Sequence, residues 1–234
     1  MKTLPQLLHS ALHLFYPHTC TGCGSDLLPN DALLCAQCIV QLPHTGFAPM
    51  ADNPVEKMFT GRLPLQAAYA QLYFTKDGLV QHLIHQLKYK GNADIGLYMG
   101  RLMGQTILDA VRFHPIDALV PLPMYAAKER QRGYNQAAIL CQGMAEVLQV
   151  PIDTQHVVRQ RNTQTQTRKQ RTGRWQNVEG SFAVTDPAAL AGRHLLLVDD
   201  VVTTGATLDA CGHVIRQVPG VKLSVAALAY AVGG

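Results

Sequence analysis

The sequence predicts an α/β protein, a parallel sheet flanked by helices, preceded by a small cysteine-rich module. Three observations carry this expectation. The chain has 234 residues, 47% hydrophobic and 15% charged, enough for one or two domains with a proper core. The run Leu195-Leu196-Leu197-Val198 is unbroken and apolar, the pattern of a strand buried on both faces of a parallel sheet, and a polar loop and a helical pattern follow it. Four of the six cysteines fall into two C-x-x-C pairs near the N-terminus.

Taken in order, residues 3–15 read as a short amphipathic helix with His9 and His13 one turn apart, a pair that can bind a metal or lie half-buried without one. The stretch Leu4 to Leu14 is interrupted by Pro5, His9 and His13 and lacks a small-residue cleavage site, so no signal peptide is expected. No apolar run approaches the roughly 20 residues that span a bilayer, so no membrane insertion is expected. These readings give a cytoplasmic protein. The net charge of +4 is too small to advertise nucleic-acid binding by the whole chain, so any basic function is local.

Cys20-Thr21-Gly22-Cys23 and Cys35-Ala36-Gln37-Cys38 are separated by eleven residues. Each C-x-x-C turn lets two thiolates face one ion, and two such knuckles make a closed tetrahedral four-cysteine site for a structural zinc. Disulfides or redox pairs are the competing reading; a reducing compartment and the absence of a surrounding βαβ pattern argue against them. Cys141 and Cys211 sit in helical patterns and read as small core residues.

Residues 43–64 are rich in Pro, Gly, Asn and Asp and read as a linker or an irregular lobe. The chain therefore divides into 1–60, holding the N-terminal helix, the cysteine module and the linker, and 61–234, the α/β domain. Ala67 to Phe74 is strand-like. Asp77 to Tyr89 is helical, with Leu79, Val80, Leu83, Ile84 and Leu87 on one side and His82, His85 and Lys88 on the polar face. Gly100 to Phe113 reads as a second helix and Ala118 to Pro121 as a buried strand. After Pro121-Leu122-Pro123 comes a loop reaching from Met124 and Tyr125 through Lys128, Arg130 and Arg132, then a helix from about Gln136 to Leu148. Ligand loops of open α/β sheets gather at the carboxyl ends of strands, so this basic loop is a site candidate.

Residues 159–174 carry Arg159, Arg161, Arg168, Lys169, Arg171 and Arg174 without an acid, with Thr163 and Gln166 among the residues between. Such an insertion, between strand-like 155–158 and 178–184, cannot be core. It reads as a lid over a pyrophosphate or as a patch for nucleic-acid phosphates. Lys222 to Ala231 closes the chain as a strand.

The stretch 194–207 carries the chemistry. Asp199 and Asp200 stand at the carboxyl end of the apolar strand, and Thr203, Thr204, Gly205, Ala206 and Thr207 lead into a helix at about Leu208. Loop amides at a helix N-terminus are a ready anion site, Gly205 permits close approach, and threonine hydroxyls add donors. The carboxylates cannot hold phosphate, but they accept hydrogen bonds from sugar hydroxyls or help hold a hydrated Mg²⁺. A sugar 5-phosphate with free vicinal hydroxyls satisfies both demands. Receiver domains place such an acidic pair near their start, and a P-loop ATPase needs a G-x-x-x-x-G-K-[ST] run that this chain lacks.

Val198-Asp199-Asp200-Val201-Val202-Thr203-Thr204-Gly205-Ala206-Thr207 resembles the motif of type I phosphoribosyltransferases, which binds phosphoribosyl pyrophosphate (PRPP). With the cysteine knuckles, Pro121-Leu122-Pro123, Arg132-Gly133-Tyr134-Asn135-Gln136 and the string Arg161, Thr163, Gln166, Arg171, Arg174 and Asn177, the chain resembles the ComF (ComFC, GntX-like) family. The resemblance implies a zinc ribbon ahead of a type I phosphoribosyltransferase-like domain. It implies the 5-phosphate at Thr203 to Thr207, the ribose hydroxyls at Asp199 and Asp200, and pyrophosphate with Mg²⁺ at Met124, Tyr125, Lys128, Arg130 and Arg132. The implied activity is phosphoribosyl transfer to an acceptor base of unknown identity, or descent from it, in DNA uptake with its partner proteins. The alternative is a non-catalytic PRPP- or nucleotide-sensing protein that works on single-stranded DNA through its basic segment, Arg168, Arg171 and Arg174 included, and its zinc ribbon.

Overall fold

A computed structural model describes residues 19–29, 32–89, 91–160 and 181–231. The expectations for the helix at 3–15 and for Arg161, Thr163, Gln166, Arg168, Arg171 and Arg174 lie outside them. In chain order the described elements are α1 (Ala36–Val40), α2 (Pro54–Phe59), β1 (Ala68–Phe74), α3 (Leu79–Tyr89), α4 (Ala93–Leu108), a 3-10 turn (Val111–Phe113), β2 (Ala118–Pro121), α5 (Ala126–Arg132), α6 (Gln136–Leu148), β3 (Val157–Arg159), β4 (Phe182–Val184), α7 (Pro187–Leu190), β5 (His194–Val202), α8 (Ala206–Arg216) and β6 (Lys222–Ala231).

The main sheet is parallel throughout, in the order β1-β6-β5-β2. Leu195 to Val198 are each 0% exposed, as an unbroken apolar run in a two-sided sheet requires. β5 runs further than the apolar run alone indicates. Asp199, Val201 and Val202 stay in register with Ala227, Ala229 and Tyr230 of β6, so both aspartates are strand residues. The β3–β4 hairpin stands apart as a two-stranded antiparallel sheet.

Two helices differ from the sequence reading. The second helix begins at Ala93, capped by the Asn92 side chain on the Ile95 N–H at 3.2 Å, and not at Gly100. Gly100 lies mid-helix, where α4 crosses α6: a Cβ there would stand 2.2 Å from the Leu140 carbonyl oxygen, and one on Gly143 2.2 Å from that of Leu97. The missing side chains let the two backbones touch. The stretch 126–132, read as loop, is helical because Ala-Ala-Lys-Glu-Arg-Gln-Arg is built from strong helix formers and ends at Gly133.

The segment 43–66 is an irregular lobe packed on the sheet. His44 bridges Leu72 antiparallel, and the Tyr73 N–H donates to the Pro43 carbonyl at 2.8 Å. The buried Asn53 amide donates to the Ala68 carbonyl at 2.7 Å, while its oxygen caps α2 at the Val55 and Glu56 N–H groups. Phe47 packs edge-on against Tyr73, and Val55 and Phe59 are buried. Among the described residues no helix is long and apolar enough to cross a membrane.

Candidate functional site

Because all four strands of the main sheet are parallel, the loops after β2 and β5 open at the same edge. After β5 the chain turns through exposed Thr203 and Thr204 into Gly205, whose φ of +72° starts α8. Gly205 has no side chain with which to cap the first turn of α8, and the Ala206 N–H makes only a long contact, 3.4 Å, with Thr204 Oγ1. The first-turn amides of α8 thus have no side-chain cap, an arrangement that can accept an anion. Asp199 and the turn through Thr207 enclose a cup of about 40 Å³, room for a compact anionic group.

The two aspartates differ. The Asp200 N–H donates to Asp199 Oδ1 at 2.8 Å, and Asp200 Oδ2 pairs with Lys88 Nζ at 2.7 Å. Burial, and then the adjacent Asp200 charge, hold the Asp199 carboxyl above the ordinary carboxylate range, against the pull of the Asp200 N–H, Lys88 and Arg159. Of the two carboxylates, Asp200 is thus paired with a lysine, while Asp199 is shifted toward its protonated form.

Lys88 also lines a cleft of about 370 Å³ with Tyr89, Gly91, Lys128, Gln131 and Arg132. Lys128, Gln131 and Arg132 lie on one face of α5 at helical spacing. Arg130 is exposed on the same helix and does not line this cleft. The residues after α5 fix the cleft wall. Asn135 caps α6 at the Ala137 N–H and donates to the Leu122 carbonyl at 3.0 Å, while Arg132 donates to Gln136 and the Tyr134 hydroxyl to the Leu87 carbonyl. That last bond ties the end of α3 to the α5–α6 turn and so places Lys88.

Met124 lines a smaller hollow of about 210 Å³ with Pro123, Asn135, Val158 and Arg159. The Arg159 guanidinium lies 4.2 Å from the Tyr125 ring centroid and 5.0 Å from that of Phe182. The structure thus gathers Asp199, Asp200, the threonine turn, Met124, Tyr125, Lys128 and Arg132 at one edge. Phe59, whose ring lies 3.1 Å from where a Cβ on Gly205 would stand, and Arg62, 3.7 Å from Asp209, adjoin the turn; sequence reasoning named neither, gave Lys88 only within a polar cluster that could reach a ligand, and gave Arg159 only within the basic segment. For Lys88 the only signal was its position on a polar helix face, and for Arg159 its membership of a basic run. Phe59 and Arg62, in the segment read as a linker or an irregular lobe, gave none.

The sulfurs of Cys20, Cys23, Cys35 and Cys38 lie within 4.8 Å of one another, a group that can hold one metal ion. The Cys35 N–H donates to Cys20 Sγ at 3.2 Å. Burial opposes ionisation of Cys20, yet the N–H groups of Cys35, Cys23 and Gly22 outweigh it and hold the thiol below its ordinary range. Burial and the neighbouring cysteines push the Cys38 thiol the other way, and a bound cation is what would favour its thiolate. The four-thiol set with no open position fits a structural zinc.

Residues 135–231 match the Phosphoribosyl transferase domain family. The chain is 31% identical over 205 residues to DNA utilization protein YhgH of Escherichia coli (strain K12), covering 85% of this chain and 84% of that protein. It is 32% identical over 216 residues to Competence protein F of Haemophilus influenzae, covering 91% and 84%. To Competence protein ComFC of Bacillus subtilis (strain 168) it is 29% identical over 211 residues, covering 88% and 82%. The parallel sheet, the turn beyond its twin aspartates and the four-cysteine group all lie within a likeness that spans most of the chain: the protein belongs to the ComF family, with a type I phosphoribosyltransferase fold behind a four-cysteine module.

Proposed function

We propose that the chain binds PRPP and transfers its phosphoribosyl group to a nitrogen acceptor, in the handling of DNA taken up by the cell. One observation carries the reading: an anion cup of uncapped amides and an adjacent carboxylate pair lie beside a cleft lined by Lys88, Lys128 and Arg132. That order of donors, acceptors and cations corresponds to a 5-phosphate, a ribose and a diphosphate along one ligand. The threonine turn holds the phosphate, Asp199 and Asp200 accept from the ribose hydroxyls, and the cations of the cleft orient the pyrophosphate. Bound Mg²⁺ would supply charge neutralisation for the departing pyrophosphate, with the two aspartates and the ligand's own oxygens as its oxygen donors.

The chain's contribution is positioning and electrostatics. The bond from C1 to the pyrophosphate oxygen breaks with its electron pair leaving on pyrophosphate. The acceptor nitrogen then forms the new bond to C1 and gives up its proton. No covalent side-chain nucleophile is required. Zinc in the cysteine module keeps a structural role. The link to DNA rests on the relatives' names, DNA utilization protein and Competence protein F.

The test is calorimetric titration with PRPP, with and without Mg²⁺, against Asp199→Ala and Asp200→Ala, joined to isotope-traced pyrophosphate release over a panel of nitrogen bases. The expected result is saturable binding that both substitutions weaken by about tenfold or more, on the order of the charged hydrogen bonds removed. Binding indifferent to both substitutions would place the ligand elsewhere and end the proposal.

A further inference from the structure

Lys88 comes from α3, outside both loops that form the site, yet its ammonium is central to it. On one side it meets Asp200 Oδ2 at 2.7 Å, with side-chain exposures of only 23% and 13%. On the other it opens into the cleft of about 370 Å³, where Lys128 and Arg132 add two more cations. A half-buried ammonium between one carboxylate and an anion-ready cleft has two possible partners. In the structure the ammonium is held by the carboxylate. A diphosphate entering the cleft brings more negative charge than one carboxylate and also satisfies Lys128 and Arg132.

We infer that Lys88 is an exchangeable counter-ion, which holds Asp200 in the unliganded protein and turns to a diphosphate-bearing ligand in the cleft, releasing the Asp200 carboxylate for the ribose hydroxyls. The inference rests on the proposed PRPP site. It adds a residue and a coupling: one end of the ligand prepares the acid that the other end uses. The tie from Tyr134 to the Leu87 carbonyl fixes the backbone of α3 beside Lys88, so only the flexible side chain has to move.

The two halves of the ligand separate this role from a staple between α3 and β5. Inorganic pyrophosphate probes the cleft, and ribose 5-phosphate probes the turn and the acids. Both are titrated into the full chain, wild type, Lys88→Gln and Lys88→Arg. Lys88→Gln is expected to weaken pyrophosphate by about tenfold or more, the loss of one charge-assisted contact, and to leave ribose 5-phosphate unchanged or tighter, because Asp200 is already free. Lys88→Arg is expected to keep pyrophosphate within about threefold of wild type. If Lys88→Gln leaves pyrophosphate untouched, or weakens both ligands together as a lost staple would, the exchange is overturned while the PRPP site stands. If wild type binds neither ligand, the PRPP reading fails and takes this inference with it. Should Lys88→Gln not fold, Lys88→Arg decides: retained pyrophosphate binding supports the exchange, and its loss overturns it.

Discussion

The ring of Phe59 lies 3.1 Å from the point a Cβ on Gly205 would occupy. A residue of the N-terminal lobe is thus the back wall of the threonine turn, and Gly205 faces two demands, a left-handed φ of +72° and little room for a side chain. Gly205→Ala is expected to cost about 1–3 kcal/mol of stability and to abolish ribose 5-phosphate binding by moving the amides of the turn. Denaturant unfolding and calorimetry on the same variant check both. A variant that binds as wild type does would show that the turn's geometry is not what holds the phosphate.

Arg62 Nη1 stands 3.7 Å from Asp209 Oδ2, in the first turn of α8. An acid there steadies the helix but repels a phosphate bound at the same helix end. Arg62 offsets that charge from behind the turn. Arg62→Gln is expected to weaken ribose 5-phosphate by about three- to tenfold, in line with roughly 1 kcal/mol for a charge at a helix end. The double variant with Asp209→Asn is expected to regain most of the loss. A double-mutant cycle read by calorimetry tests this, and losses that simply add would refute neutralisation as the mechanism.

How far the sequence discloses the site follows from where its parts lie along the chain. The acids and the threonine turn are consecutive from Asp199 to Thr207, and each C-x-x-C pair closes on itself, so local spacing was enough to put them forward as candidates. The strands at 68–74, 118–121 and 222–231 were legible because burial on both faces leaves mostly apolar runs, broken only by Gln71 in the first and by Lys222 and Ser224 in the last. Phe59 and Arg62 meet Gly205 and Asp209 only through tertiary packing, from a distant part of the chain. His82, His85 and Lys88 share one polar face, and only the packing of α3 decides that Lys88 reaches Asp200. Gly100 reads as a helix boundary in isolation; its reason, the contact with Gly143, belongs to another helix.

That contact gives a prediction independent of the site. Gly143→Ala places a Cβ 2.2 Å from the Leu97 carbonyl oxygen, a backbone atom that cannot swing aside. α4 must then separate from α6, at an expected cost of about 2–4 kcal/mol. Urea denaturation measures it, and wild-type stability in the variant would mean that the two helices do not pack this closely.

Asp199 predicts the direction of a pH dependence. Its carboxyl is raised by burial and by Asp200, so the folded chain holds a proton that the unfolded chain releases at the ordinary carboxylate value. The unfolded state then binds fewer protons, and stability falls as pH rises above that value, levelling off once the raised value is passed. Asp199→Asn is expected to flatten this slope in the unliganded protein. Unfolding midpoints of both proteins across that range test it; parallel curves would assign the slope to another group.

The cysteine module reaches the site through α3. A Cβ on Gly22 would lie 2.8 Å from Cys38 Sγ and 2.9 Å from Leu79 Cδ1, at the start of the helix that carries Lys88. Buried Cys20, Leu34, Cys35 and Cys38 belong to the same core as the sheet, so the module is packed on the domain and not hung from it. One zinc per chain is expected, and Cys38→Ser is expected to lose it, because three thiolates leave the tetrahedral set open. Loss of the metal loosens the knuckle against Leu79 and should lower pyrophosphate affinity more than ribose 5-phosphate affinity, since the cleft takes Lys88 and Tyr89 directly from α3, whereas the turn and the acids lie on and beyond β5. Metal analysis with thiol counting reads the first effect and calorimetry of the two ligands the second. Metal-free protein with four intact thiols, as purified, would refute the zinc assignment, and equal losses for both ligands would deny that the module acts through this helix.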